Sequence, residues 1–201
     1  MLIVVDYGMG NLRSVQKGFE KVGVSARISR DADEIRKADR LVLPGVGAFP
    51  ECMKNLSNLD LVEPIQEFIQ SEKPFLGICL GLQLLFDESE EFGIHEGFKV
   101  VPGTVKAFDR NMGLKIPHMG WNQVFFRKEV PIFKGISDGS YLYFVHSYYV
   151  VPQNDSHIVA ESEYGITFTC AVAADNVFAV QFHPEKSQET GLKILTNFAR
   201  L

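Results

Sequence analysis

Cysteine is scarce in this 201-residue chain, tryptophan occurs once, and there is neither an excess of basic charge nor a long apolar run. The three cysteines, Cys52, Cys79 and Cys170, are far apart and form no C-x-x-C pair. Neither a disulfide framework nor a zinc site is indicated, and no metal or cofactor is expected. A net charge of -5 and a pI near 5.6 leave no electrostatic footprint for nucleic acid. The apolar runs fall far short of the ~20 residues of a membrane-spanning helix. The N-terminus enters a strand pattern at Leu2 without a basic leader, so a cytoplasmic location is the default. No repeat, low-complexity stretch or block of like charge appears. What is present, 46% hydrophobic and 22% charged residues, is the composition of one globular domain over 1–201 with ample core.

The first half alternates short apolar runs with amphipathic stretches. Leu2 to Val5, Ala26 to Ile28, Leu41 to Leu43 and Phe75 to Ile78 read as strands. Helical spacing follows at Val15, Phe19 and Val22 behind Asn11 as a candidate N-cap, then from Asp33, and again up to Ser71. Such alternation, joined by short Gly or Pro turns, predicts a mainly parallel sheet covered on both faces. Beyond Glu91 the texture becomes β-rich, with segments at Val105 to Phe108, Val124 to Phe126, Tyr141 to Val145, Ile158 to Glu161 and Phe168 to Val172. A last strand, Val177 to Phe182, precedes a helix with Leu192, Leu195 and Phe198 on one face. Ligands in parallel sheets bind at the carboxyl ends of the strands. Asp6 to Asn11, Pro44 to Gly47 and Cys79 each directly follow a strand.

Gly77-Ile78-Cys79-Leu80-Gly81 has the form of a nucleophile elbow, a strand, a sharp turn carrying a thiol, then a helix over Leu80 to Phe86. The glycines let two backbones pass closely, and free amides at a helix start favour the thiolate and the oxyanion that its attack creates. A buried cysteine in a tight turn is the plain alternative. A thiol nucleophile needs a base, and the base needs an orienting acid. His183 and Glu185 have those types, held in one turn by Pro184 at the end of the last strand.

With both pieces in view, the chain resembles the class I glutamine amidotransferases, whose Cys-His-Glu triad hydrolyses glutamine on a flavodoxin-like three-layer α/β/α fold. Gly77-Ile78-Cys79-Leu80-Gly81-Leu82-Gln83 and Phe182-His183-Pro184-Glu185 carry the resemblance. Within that family it looks most like the glutaminase subunits of imidazole glycerol phosphate synthases. That closer likeness extends to Asp6 to Leu12, Pro44 to Phe49, Pro117 to Asn122, Phe144 to Tyr148 and His183 to Ser187. Leu82, where the family often has methionine, is a tolerated swap.

The resemblance implies that Cys79 attacks the side-chain amide of L-glutamine, His183 protonates the departing ammonia and activates water, and Glu185 orients His183. It implies an oxyanion hole from the amides of Leu80 and Val46, the latter after a backbone rearrangement that Gly45 and Gly47 make easy. Gly45, Gly47, Gln83, His146, Ser147 and Tyr148 would line the substrate site; Gln83 could otherwise be a solvated helix position, and His146 and Tyr148 satisfied strand residues. His118 to Asn122 reads as a binding loop, with Trp121 either a core anchor or an interface hot spot. By resemblance Asn11, His118 and Trp121 would meet a cyclase subunit, a (βα)8 barrel that receives the ammonia. Other amidotransferase subunits, for anthranilate, guanylate or pyridoxal phosphate synthesis, would share the triad. A redox or chaperone-like member of the flavodoxin-like folds is the non-enzyme alternative.

Overall fold

A computed structural model describes residues 1–201. In chain order the elements are β1 (Leu2–Val5), α1 (Leu12–Lys21), β2 (Ala26–Ser29), α2 (Ala32–Lys37), β3 (Arg40–Gly45), α3 (Phe49–Asn58), α4 (Val62–Gln70), β4 (Phe75–Cys79) and α5 (Leu80–Gln83). Then come β5 (Phe86–Ser89), β6 (His95–Glu96), β7 (Val101–Ala107), β8 (His118–Phe126), β9 (Ser140–His146), β10 (Tyr148–Pro152), β11 (Ile158–Glu163), β12 (Thr167–Ala174), β13 (Val177–Val180) and α6 (Gln188–Phe198).

The strands join in the order β2-β1-β3-β4-β13-β12-β10-β7-β5-β6, with β11, β8 and β9 branching from β12. From β2 to β13 every pair is parallel. Beyond β13 the pairing is antiparallel as far as β7. Side-chain alternation builds the layers. In β1, Leu2 and Val4 face one core with Val15 and Phe19 of α1 and Ile194, Leu195 and Phe198 of α6. Ile3 and Val5 face the other core, with Ile35 of α2, Leu56 of α3 and Phe68 of α4. A one-residue slip of β1 would exchange these sets, so the pattern pins the register. The result is the expected three-layer α/β/α arrangement, with strand ends after β1, β3, β4 and β13 gathered at one edge. No helix is long and apolar enough to cross a membrane.

Three sequence expectations change. The helix at Leu80 is one turn, not a run to Phe86, because the chain is drawn into the sheet as β5 from Phe86. The Leu84 and Leu85 carbonyls accept from the amides of Phe98, Val100 and Val101 instead. His118 to Asn122 is strand, not loop: β8 pairs residue by residue with β9, from His118 opposite His146 to Val124 opposite Ser140. Asn11 is the N-cap of α1, as expected, its carbonyl accepting from the Ser14 and Val15 amides and its side chain making no capping bond. The last strand ends at Val180, two residues early.

Candidate active site

Cys79 closes β4 and α5 leaves from it, and the reversal puts Cys79 at φ 56°, ψ -109°. That region is strained for a residue with a Cβ. The turn is tight enough that only glycine fits beside it. A Cβ on Gly81 would lie 1.9 Å from the Leu43 carbonyl oxygen, and one on Gly77 would lie 2.7 Å from the Gly81 oxygen. With α5 only four residues long, a helix dipole contributes less to the thiolate than the sequence suggests. The amides of its first turn, Leu80 among them, have no acceptor within the helix.

His183 follows β13 and is held by two neighbours. Its amide donates to the Tyr143 carbonyl at 2.8 Å. The Ser187 hydroxyl donates to the His183 carbonyl at 2.7 Å and accepts from the Tyr143 amide at 2.9 Å. The imidazole Nδ1 lies 2.8 Å from Glu185 Oε1, with both side chains buried. A carboxylate only accepts, so Nδ1 carries the proton and Nε2 is the working nitrogen. Nε2 is buried without a hydrogen-bond partner in this state. It is nonetheless close enough to Cys79 for the sulfur to influence it. Burial opposes the imidazolium, but Cys79 and Glu185 outweigh it and raise the His183 pKa to about 10. The balance of these influences favours the protonated imidazole.

A cavity of about 340 Å³ opens at the thiol, walled by Val46, Gly47, Cys79, Leu80, Gln83, Glu91, Pro117, Val145, His146, Ser147 and Tyr148. A larger groove of about 640 Å³ around Phe126 to Asp138 contains none of the triad, so size does not mark the site. Most sequence-proposed residues meet in the thiol cavity. Gly45 does not line it: it packs beneath, where a Cβ would lie 2.7 Å from Leu80 Cβ and 2.8 Å from Tyr7 Oη. The Tyr7 hydroxyl donates to the Pro44 carbonyl at 2.8 Å, and Gly47 bends the loop at φ 97°.

Gln83 is buried, not solvated. His146 is committed on both nitrogens: Nδ1 donates to the Tyr148 carbonyl at 2.8 Å, and Nε2 accepts from His118 Nδ1 at 2.9 Å. Burial, the larger influence, depresses the His146 pKa to about 3 and that of His118 to about 4. His146 is thus a neutral wall, not a spare base. His118 stacks between Phe144 and Tyr164 at 4.9 and 4.1 Å and is buried. Its side chain cannot serve an interface; its alternation in β8 points it inward. Asn11 is exposed, and Trp121 is 45% exposed. Met119, Trp121 and Phe125 share the outward face of β8 with Tyr141 of β9, an apolar strip that the loop reading missed.

Sequence reasoning also missed Glu91 and Gln181. Glu91 Oε2 accepts from the Phe49 amide at 2.8 Å, and burial raises its pKa although that amide and His95 counteract it. It is the carboxylate in the cavity wall, but no spacing rule tied it to Cys79. Gln181 Nε2 lies 3.7 Å from Cys79 Sγ. No group of three His, Cys, Asp or Glu side chains has a metal-site arrangement.

An elbow thiol and a buried histidine–glutamate pair on the mixed sheet of a three-layer α/β/α fold are the features of a thiol-dependent acyl-transfer enzyme. The class-I glutamine amidotransferase model matches residues 3–201, and the chain belongs to that family. It is 58% identical over 203 residues to the imidazole glycerol phosphate synthase subunit HisH of Syntrophotalea carbinolica, covering 98% of each chain. To the subunit of the same name from Aquifex aeolicus it is 53% identical, covering 98% of this chain and 95% of that one. Among solved structures, PurLQS from Thermotoga maritima superposes with a TM-score of 0.77 at 16% identity, over 99% of this chain and 97% of that one. A crystal structure of glutamine amidotransferase gives 0.76 at 16% identity, over 99% of each. At those identities the likeness is one of fold.

Proposed function

We propose that residues 1–201 are the glutaminase domain and subunit of an imidazole glycerol phosphate synthase, acting in the cytoplasm. It hydrolyses L-glutamine to L-glutamate and ammonia and passes the ammonia to a cyclase subunit, a (βα)8 barrel. The observation that carries the chemistry is the buried His183–Glu185 pair beside the elbow thiol; the acceptor reaction is taken from the relatives' names. Glutamine enters as a zwitterion. Its α-ammonium meets Glu91, its α-carboxylate meets the backbone of Ser147 and Tyr148, and its side-chain amide reaches Cys79. The thiolate adds to the amide carbon, and the oxyanion is held by the amides of Leu80 and Val46. His183 gives its proton to the nitrogen as the C–N bond breaks, leaving a glutamyl thioester. The neutral imidazole then takes a proton from water, whose oxygen attacks the thioester and releases glutamate.

Ammonia set free in neutral water would be mostly protonated and no longer nucleophilic, so transfer inside a heterodimer is what makes the reaction useful. The exposed Met119, Trp121, Phe125 and Tyr141 strip, with Asn11, is the docking face, with aromatic anchors of the kind that dominate interfaces. The Tyr143 ring touches Trp121 edge-on at 6.0 Å, while its backbone holds His183. That link lets docking bias the catalytic turn.

Val46→Pro removes one oxyanion donor, worth roughly 10² to 10³ in kcat. The variant should bind glutamine and the cyclase but gain little from either cyclase or acceptor nucleotide. The deciding measurement is the glutaminase rate of the lone chain, the complex, and the complex with a non-reacting acceptor analogue, alongside formation of imidazole glycerol phosphate. Equal rates in all three would remove regulated coupling. Ammonia-dependent product only with an anthranilate, guanylate or pyridoxal phosphate synthase partner would reassign the acceptor.

A further inference from the structure

Cys79 Sγ has two polar neighbours within hydrogen-bond reach, the Val145 carbonyl oxygen at 3.8 Å and the side-chain amide of Gln181 at 3.7 Å. Gln181 follows β13 and is wholly buried, its own backbone amide donating to the Cys170 carbonyl at 2.8 Å. Which end of its side-chain amide faces the sulfur follows from a fixed point, the Tyr148 carbonyl. A carbonyl only accepts, so the Gln83 atom 3.1 Å away must be the amide nitrogen. That same nitrogen lies 3.1 Å from the side chain of Gln181, which must therefore present its oxygen there. The NH2 of Gln181 is left facing the sulfur. His146 Nδ1 holds the same Tyr148 carbonyl from another side, so the fixed point is itself restrained.

These two neighbours act differently on the two forms of the sulfur. The neutral thiol can donate to Val145 and accept from Gln181. Once its proton has gone to His183 Nε2, the Val145 carbonyl dipole opposes the charge and the Gln181 N–H supports it. We propose that Gln181 is a further catalytic residue, a donor to the Cys79 thiolate whose orientation is dictated by Gln83 and the Tyr148 carbonyl. In this arrangement Gln83 is a positioning residue as well as part of the pocket wall. The proposal rests on Cys79 being the nucleophile.

The test is the pH dependence of Cys79 alkylation by iodoacetamide, with the adduct mapped by mass spectrometry, beside glutaminase kinetics. The other titratable groups near the sulfur are His183 and Glu185 from the turn after β13, Tyr7 from the β1 loop, Cys52 on α3, His146 on β9 and Glu91 in the pocket wall. Gln181→Leu leaves all of them in place. It should move the alkylation midpoint up by about one pH unit and lower kcat about tenfold, with KM for glutamine within about twofold. Gln181→Glu, of the same shape but with a carboxylate toward the sulfur, should move the midpoint further. In the unaltered protein, the Gln181 side-chain amide resonances should shift as the thiol ionises, and that step should vanish in Cys79→Ala. This NMR readout decides the matter if the substituted chains fail to fold. An unchanged midpoint in folded Gln181→Leu, or amide resonances indifferent to Cys79, overturns the proposal. Ammonia release that survives Cys79→Ala would instead overturn the assignment of the nucleophile.

Discussion

Cys79→Ala is expected to release no measurable ammonia from glutamine, a loss of more than about 10⁴-fold, while the complex still forms product from added ammonium. The first half of that result follows from the elbow. Cys79 is the thiol at the cavity; Cys52 and Cys170 are fully buried in the cores, and burial pushes the Cys52 thiol up to about 12 and holds the Cys170 thiol well above its ordinary range. The second half follows from the place of the proposed docking strip, whose Met119, Trp121 and Tyr141 are exposed while Cys79 is buried. A glutamine-like diazo-ketone should label Cys79 alone. Labelling at Cys52 or Cys170 with Cys79 untouched would reassign the nucleophile. Loss of the ammonium-driven reaction as well would mean that Cys79 serves the fold instead.

His183→Asn should lower kcat by at least ~10²-fold and leave KM for glutamine nearly unchanged, because the imidazole acts only as charge develops on the leaving nitrogen. Glu185→Gln should cost less, since it removes the orienting charge and leaves the base. The pH behaviour has a definite sign. Burial disfavours the imidazolium, yet Cys79 and Glu185 raise the folded pKa to about 10, above the ordinary value of 6.5. The proton on His183 therefore contributes stability that is fully present below about pH 6.5 and is lost as pH rises through about 10. Turnover should fall over the same upper limb, as the acid for ammonia departure disappears. Urea unfolding across that range should show a shallower alkaline decline in His183→Asn. An identical decline would mean that the proton is held elsewhere.

The sequence made legible what is local. Apolar runs at Leu2 to Val5, Leu41 to Leu43 and Phe75 to Ile78 are strands because buried parallel strands need both faces apolar. The elbow at Cys79 and the His183–Glu185 pair were readable because the elbow requires glycines at fixed offsets, and because His183 and Glu185 share one turn. What was not readable depends on partners distant in the chain. The strand at His118 to Asn122 carries an inward histidine, tolerable because His146, 28 residues later, accepts a hydrogen bond from its Nδ1. With that partner unseen, Gly120 and Asn122 read as loop residues. Glu91 and Gln181 carry no motif, and their roles come from tertiary placement: one against the start of α3, the other against the sulfur. The error at Leu80 to Phe86 has a related cause, since a continuous apolar run does not distinguish one helical turn plus a strand from a buried helix.

The left-handed backbone at Cys79 bears on how variants of this protein are to be ranked. A non-glycine residue in such a conformation costs on the order of 1–3 kcal/mol, which glycine would largely avoid. Two inactive replacements of the same residue should then differ in endurance: Cys79→Gly should melt a few degrees above Cys79→Ala, about 2–4 °C for each kcal/mol in a chain of this size. A library sorted on heat resistance alone would drift toward glycine at this position and lose the chemistry while improving the score. Thermal screening here has to be paired with an assay for ammonia.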